Sequence, residues 1–236
     1  MTLLSSANQV LRETGFPDVT SVIGNGNQAV RALLAQAQRQ GQQMAKRRWS
    51  ILTKRQTFTT VSGVEAYALP TDFYAFVDET QWNTSNNWPQ VGPLSEEDWQ
   101  NNKSGQVSIT VNDRWHIRAD GNSNRFFIDP VPTAAENASF FYVADTWCRA
   151  SGGQRQNELK ADADVILLDT DVFELGLKWR FLRAQQREYR DEQAEYIREE
   201  QKAYAVDGGM KDLKITPVIT DDPLFVANVG EANFGS

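Results

Sequence analysis

The segment DTDVFELGLKWRFLRAQ, residues 169–185, carries more apolar side chains than one helix face can hold. Leu168, Val172, Leu175, Trp179 and Leu182 recur at alternating four- and three-residue spacing and form one stripe. At about 100° per residue, Phe173, Leu177 and Phe181 form a second stripe nearly opposite the first. A helix on the surface of a monomer buries one face, whereas this one needs cover on two. Either both covers come from this chain, or a neighbouring subunit supplies one. On the second reading Phe173, Leu177 and Phe181 are the candidate subunit interface.

The rest of the chain divides by its hydrophobic period. A first helix is expected over residues 2–14, with Thr2 as N-cap and with Leu3, Leu4, Ala7, Val10 and Leu11 on one face. Gly15 supplies a left-handed stop and Pro17 follows it. A turn at SVIGNGN leads to a second helix capped by Asn25 or Asn27 and running to about Trp49. Gly41 lies inside that helix at a cost of about 1 kcal/mol against alanine, which a close neighbouring backbone would explain. From Lys54 to Cys148 the period changes to two. RQTFTTVSGVEAYALP alternates and turns at Ser62–Gly63, while FVDETQW and RWHIRAD read as strands. The apolar runs Phe126–Ile128 and Phe140–Val143 flank a proline-rich turn and read as a hairpin. SEEDWQNNK is a short helical turn capped by Ser95, and SGGQRQNE is a loop back to helical sequence. A last helix, about Glu188 to Val206, presents a charged, solvated face and ends at Gly208–Gly209.

These periods predict an α+β fold in four parts. Residues 1–53 and 158–209 supply the N- and C-terminal helices of one bundle, 54–157 form a β-rich insertion, and 210–236 form an extended C-terminal arm. The arm has no helical period, and Pro217 and Pro223 oppose one. Yet Leu213, Ile215, Val218, Ile219, Leu224, Phe225, Val226 and Phe234 are too apolar for a solvated linker. Such a segment gains most by lying extended on a partner surface, donating main-chain hydrogen bonds and inserting alternate side chains.

Several functions lack their residues. Cys148 is the one cysteine and His116 the one histidine of the 236 residues, which removes an intrachain disulfide and multi-cysteine zinc sites. No metal, cofactor or catalytic residue is assigned. His116, in RWHIRAD, is placed on the outer face of a strand. GNGN at 24–27 has neither the spacing nor the lysine of a phosphate loop. Glu96–Glu97–Asp98 and Asp162–Asp164 are the carboxylates a peptidoglycan hydrolase would need, but adjacent acids at a helix start favour the dipole far more readily than catalysis. With a net charge of −7, the chain is ill-suited to wrapping nucleic acid. Its basic cluster, AKRRW with Lys54 and Arg55, is read as the closure of a helix C-terminus. Apolar runs fall short of the roughly 20 residues of a membrane helix, and the first residues lack a signal-peptide pattern.

Read in order, LRETGFPDVTSVIGN, the long second helix ending in RRW, YALPTDFYAFVDETQWN, WPQVGPLSEEDWQ, FFIDPVPTAAENASFFYVADTW and DTDVFELGLKWRFLRAQ resemble the head-to-tail adaptor proteins of tailed bacteriophages, called tail tubular protein A in short-tailed phages. The resemblance covers about residues 1–209. It implies a structural virion protein of the neck or tail, assembled in the host cytoplasm. In that family a ring, typically a dodecamer, joins the portal protein to the tail nozzle protein and continues the channel through which DNA leaves, without sequence-specific binding. The helices would form the ring wall and the hairpin a contact platform, with acidic groups lining the lumen. The arm lies outside the resemblance. Its Ile215, Pro217, Val218, Ile219, Leu224, Phe225, Val226 and Phe234 are assigned to portal binding on their own chemistry. The competing readings are a virion peptidoglycan hydrolase or another ring component of the neck or tail.

Overall fold

Helix starts follow the capping residues. The computed structural model describes residues 1–104, 113–121 and 123–208; the C-terminal arm lies outside them. In α1 (Leu3–Glu13) the Thr2 hydroxyl accepts from the Ser5 N–H at 3.4 Å, and the Ser5 hydroxyl accepts from the Thr2 N–H at 3.1 Å. This reciprocal pair satisfies two donors that a helix start leaves open. Two further donors, the N–H groups of Leu3 and Leu4, reach the carbonyls of Asp164 (2.8 Å) and Asp162 (3.1 Å). Gly15 has φ +79°, as the stop requires. Asn27 caps α2 (Gln28–Ala45), which ends before Trp49; a 3-10 turn, Ser50–Leu52, follows. No basic residue lies in the last turn of α2, so the AKRRW cluster does not close the helix from within. Arg47 instead pairs with Glu200 at 3.0 Å and lies 5.5 Å from the Tyr204 ring centroid.

Asp162 joins the two ends of the chain. Its carboxylate accepts from the N–H groups of Val22 and Ile23, both at 2.8 Å, and from the Ser21 hydroxyl at 2.6 Å. Burial by itself raises this carboxyl, but the three donors outweigh it and hold the pKa below the ordinary aspartate value. Since the folded pKa is the depressed one, the stabilisation is complete above about pH 4 and is lost as pH falls through the folded value. Asp162→Asn should cost about 1 kcal/mol at pH 7, the lower end for hydrogen bonds to a charged group because solvent screens this half-exposed site. In urea titrations across pH, the gap between wild type and variant should close below pH 4, and a constant gap would exclude this account.

The middle of the chain forms two antiparallel sheets. In the first, β8 (Asn137–Ala144) has β1 (Thr53–Thr59) on one edge, in register from Thr53↔Val143 to Thr59↔Asn137. Its other edge carries β3 (Phe73–Phe76) and β4 (Trp82–Asn83), and β4 pairs with β5 (Trp88–Pro89). FVDETQW is thus a strand end, a turn and a second short strand; Glu79 takes φ +59° within that turn. In the second sheet, β7 (Ser123–Asp129) lies between β2 (Ala66–Ala68) and β6 (Arg114–Asp120).

The expected hairpin does not form. β7 and β8 belong to different sheets, and the proline-rich link carries the chain from one layer to the other. Their alternate residues meet face to face: the Phe126 and Phe140 rings stack with centroids 5.6 Å apart, joined by Phe58, Phe76 and Trp115. The two runs were apolar because both face this shared aromatic core. A turn of this composition cannot distinguish pairing within a sheet from packing between sheets.

Two more layers complete the fold. α3 (Glu96–Lys103), capped by Ser95, covers the outer side of β6 and β7. There Trp99 stacks on His116 at 5.4 Å and meets Phe127 at 6.3 Å. His116 is consequently buried, with Nδ1 2.8 Å from the Leu94 carbonyl, not on the open face expected. On the far side of the first sheet, Val77 and Val143 enter the core formed with the helices. That core also holds the small sheet of β9 (Cys148–Arg149), β10 (Arg155–Gln156) and β11 (Val165–Ile166), then α4 (Thr170–Ala184) and α5 (Arg190–Val206).

The two-striped helix is α4, and it is covered twice by its own chain. α5 covers the first stripe, with Tyr189 and Tyr196 near Trp179 at 6.3 and 6.2 Å. α1, α2 and the 145–148 segment cover the second, where Phe16 meets Phe181 at 5.3 Å and Trp147 meets Phe173 at 6.2 Å. Phe173, Leu177 and Phe181 are each 0% exposed. They form the protomer's core and are not available as the subunit interface assigned to them.

Candidate assembly surfaces

No catalytic constellation assembles among the described residues. Glu96, Glu97 and Asp98 occupy the first turn of α3, where the helix dipole favours them. Asp162 is tied to the 21–23 turn. Asp164 is buried and accepts from the Lys160 and Ala161 N–H groups at 2.7 and 2.9 Å and from the Gln156 side chain. Both aspartates are therefore structural. The Cys148 thiol is fully buried, points at the Gln156 and Glu158 carbonyls, and is pushed up to about 12 by burial, with Asp164 adding to the shift. Such a thiol is inert at neutral pH. The described residues contain no His/Cys/Asp/Glu group able to hold a metal and no helix long and apolar enough to cross a membrane.

What the molecule offers instead is surface. A groove of mixed character opens where α5 ends, with Ile51, Leu175 and Val206 among its apolar walls and Asp171, Glu199, Lys202 and Asp207 among its charged ones. Val206 is 88% exposed and Ile51 44%. Asp207 fixes this corner, its two carboxylate oxygens accepting from the Ser50 N–H and hydroxyl at 2.6 Å each. A second set lies on the β part. Val61 and Val64 project at the turn around Gly63, and Phe141 and Tyr74 lie on the first sheet. On β8, Phe140 and Tyr142 face the aromatic core, while Phe141 faces outward and is 41% exposed.

Of these exposed residues only Phe141 lies in a segment to which the sequence gives a contact role, the expected hairpin platform; Ile51, Val61, Val64, Tyr74 and Val206 have none. Phe141 sits in an unbroken apolar run, which hides the alternation that would separate its face from that of Phe140. Val61 and Val64 carried a usable signal, two β-branched apolar residues flanking a glycine turn where polar residues are usual. The predicted arm residues Ile215, Pro217, Val218, Ile219, Leu224, Phe225, Val226 and Phe234 fall outside the described residues.

Buried acids in structural roles, an inert thiol and apolar surface left over after folding are the marks of a protein that works by assembling. The profile of the SU10 adaptor protein family matches residues 1–220. The chain belongs to that family, one of structural bacteriophage adaptors and not of enzymes. Membership places it at the virion neck and implies assembly with other capsid or tail proteins. No curated protein matches the chain.

Proposed function

We propose that the protein is the subunit of a ring, a dodecamer, seated between the portal and the tail nozzle and continuing the channel for DNA exit. Family membership across residues 1–220 carries this reading. The exposed apolar residues at the end of α5 and at the 61–64 turn support it, because solvent-facing side chains of this kind become favourable when a neighbour covers them. With Phe173, Leu177 and Phe181 committed to the core, ring contacts have to use such outward residues. Head-to-tail contacts close into a ring when the rotation between copies is right. In this reading the helices build the wall, the β part of 54–157 meets neighbours and the nozzle, and the arm 210–236 lies extended on the portal.

The arm is the part most open to test. Removing the chain from Thr216 onward should weaken binding to isolated portal by at least about tenfold, because many arms act together on one ring. The mass of the purified protein with and without portal reads the subunit number in the same experiment. Equal portal affinity for the full and shortened chains would rule out the arm's role, and a stable monomer on the portal would rule out the ring.

A further inference from the structure

A cleft of ≈ 530 Å³ opens between α2, β3 and α4, and its charge is one-sided. Arg39 and Lys46 come from α2 and Arg180 from α4; Tyr74 and Trp147 supply aromatic walls. Asp145 is the one carboxylate in the lining, and it accepts from the Asn157 side chain at 2.9 Å. Arg183 lies with Arg39 and Arg180 around Trp179 in an adjoining hollow. Among the described residues none of Arg39, Lys46, Arg180 and Arg183 forms an ion pair. Arg180 is held by glutamines instead, Nε donating to Gln40 at 2.7 Å and a terminal nitrogen to Gln43. In a chain of net charge −7, this local concentration of cations makes the cleft attractive to an acidic group.

An exposed acidic cluster lies beyond the second sheet. Glu96, Glu97 and Asp98 are exposed in the first turn of α3 and form no ion pair among the described residues. The layers run helices, first sheet, second sheet, α3. The cleft opens at the joint of helices and first sheet, and α3 lies beyond the second sheet. Within one protomer the two charges are separated by the sandwich.

We propose that the cationic cleft of one copy receives the acidic first turn of α3 from the next copy. This rests on the ring reading and gives that ring a head-to-tail contact: two different surfaces, each missing the charge the other carries. A nucleic acid is the poorer occupant. The cleft is concave and has room for a few side chains, whereas a duplex presents a convex surface to the cations that meet it.

The test uses the full chain and charge reversal. Among the described residues the side chains of Arg39, Lys46, Glu96 and Glu97 form no hydrogen bond or ion pair, so reversing them removes no side-chain contact; lysines in the first turn of α3 oppose its dipole by about 0.3–1 kcal/mol each, and a thermal melt checks that each variant stays folded. Arg39→Glu with Lys46→Glu, and separately Glu96→Lys with Glu97→Lys, should each weaken self-association at least about tenfold by sedimentation, with wild type losing affinity as salt rises. The chain carrying all four changes should recover to within about threefold of wild type, because the swapped charges meet again. One-sided variants that assemble like wild type overturn this contact while leaving the ring reading standing, as does a fourfold variant that fails to recover. A cleft variant that assembles normally but loses retention of duplex DNA overturns it in favour of nucleic acid. A wild-type chain that forms no ring even on portal ends the ring reading and this contact with it.

Discussion

Gly41→Ala should destabilise the protein by about 3 kcal/mol, the upper end for overpacking a filled core. Helix propensity argues the other way, since alanine in a helix interior is favoured over glycine by about 1 kcal/mol. The structure decides between them. A Cβ built on Gly41 would overlap three ring carbons of Trp147. That indole cannot step aside: it is 0% exposed, its Nε1 donates to the Asn157 carbonyl at 2.9 Å, and its other side meets Phe173. A neighbour was expected at Gly41, but it is a side chain and not a backbone. Urea denaturation of Gly41→Ala reads the loss directly. An increase in stability would mean that the contact between α2 and Trp147 is looser than described.

Phe126→Ala should cost about 4 kcal/mol, the range for removing a buried aromatic. Phe126 is 1% exposed and sits between the sheets, with Trp115, Phe140, Phe76 and Phe58 at 5.3, 5.6, 5.8 and 5.9 Å. Each such pair adds about 0.5–1.5 kcal/mol beyond burial. Phe141→Ala is the matched control. It lies in the neighbouring apolar run but points outward, so its loss should stay within about 0.5 kcal/mol in the isolated protomer. The sandwich predicts that the two losses differ several-fold.

These two positions also show where local reading stops. Thr2, Asn27 and Ser95 were legible as caps because a cap acts on N–H groups two or three residues away, and that chemistry is written in the local order. The change from helical to alternating period, and so the α+β class with antiparallel sheets, follows from which side chains share a face. Gly15 and Gly208 end helices at φ +79° and +81° for an equally local reason.

Partners were less legible than faces. The stripe of Phe173, Leu177 and Phe181 was correctly a surface in need of cover, yet its cover came from α1, α2 and Trp147. Periodicity counts apolar faces and says nothing about which face answers which. Alternation puts His116 on the outer face of its strand, opposite Trp115, and the structure buries it there, because α3 covers that face with Trp99. The same limit applies to assembly. Val206 and Ile51 became candidate contact residues only when the structure left them uncovered.

By itself, the order of residues determined the helix starts and stops and the switch of period, since each depends on neighbours within a few positions. Tertiary structure alone decided that the two phenylalanine runs sit in different sheets, that the second stripe of α4 is core, and that Arg39, Lys46 and Arg180 line one cleft. Those outcomes depend on contacts between residues far apart in the chain, where many arrangements bury the same side chains and the best mutual packing selects one.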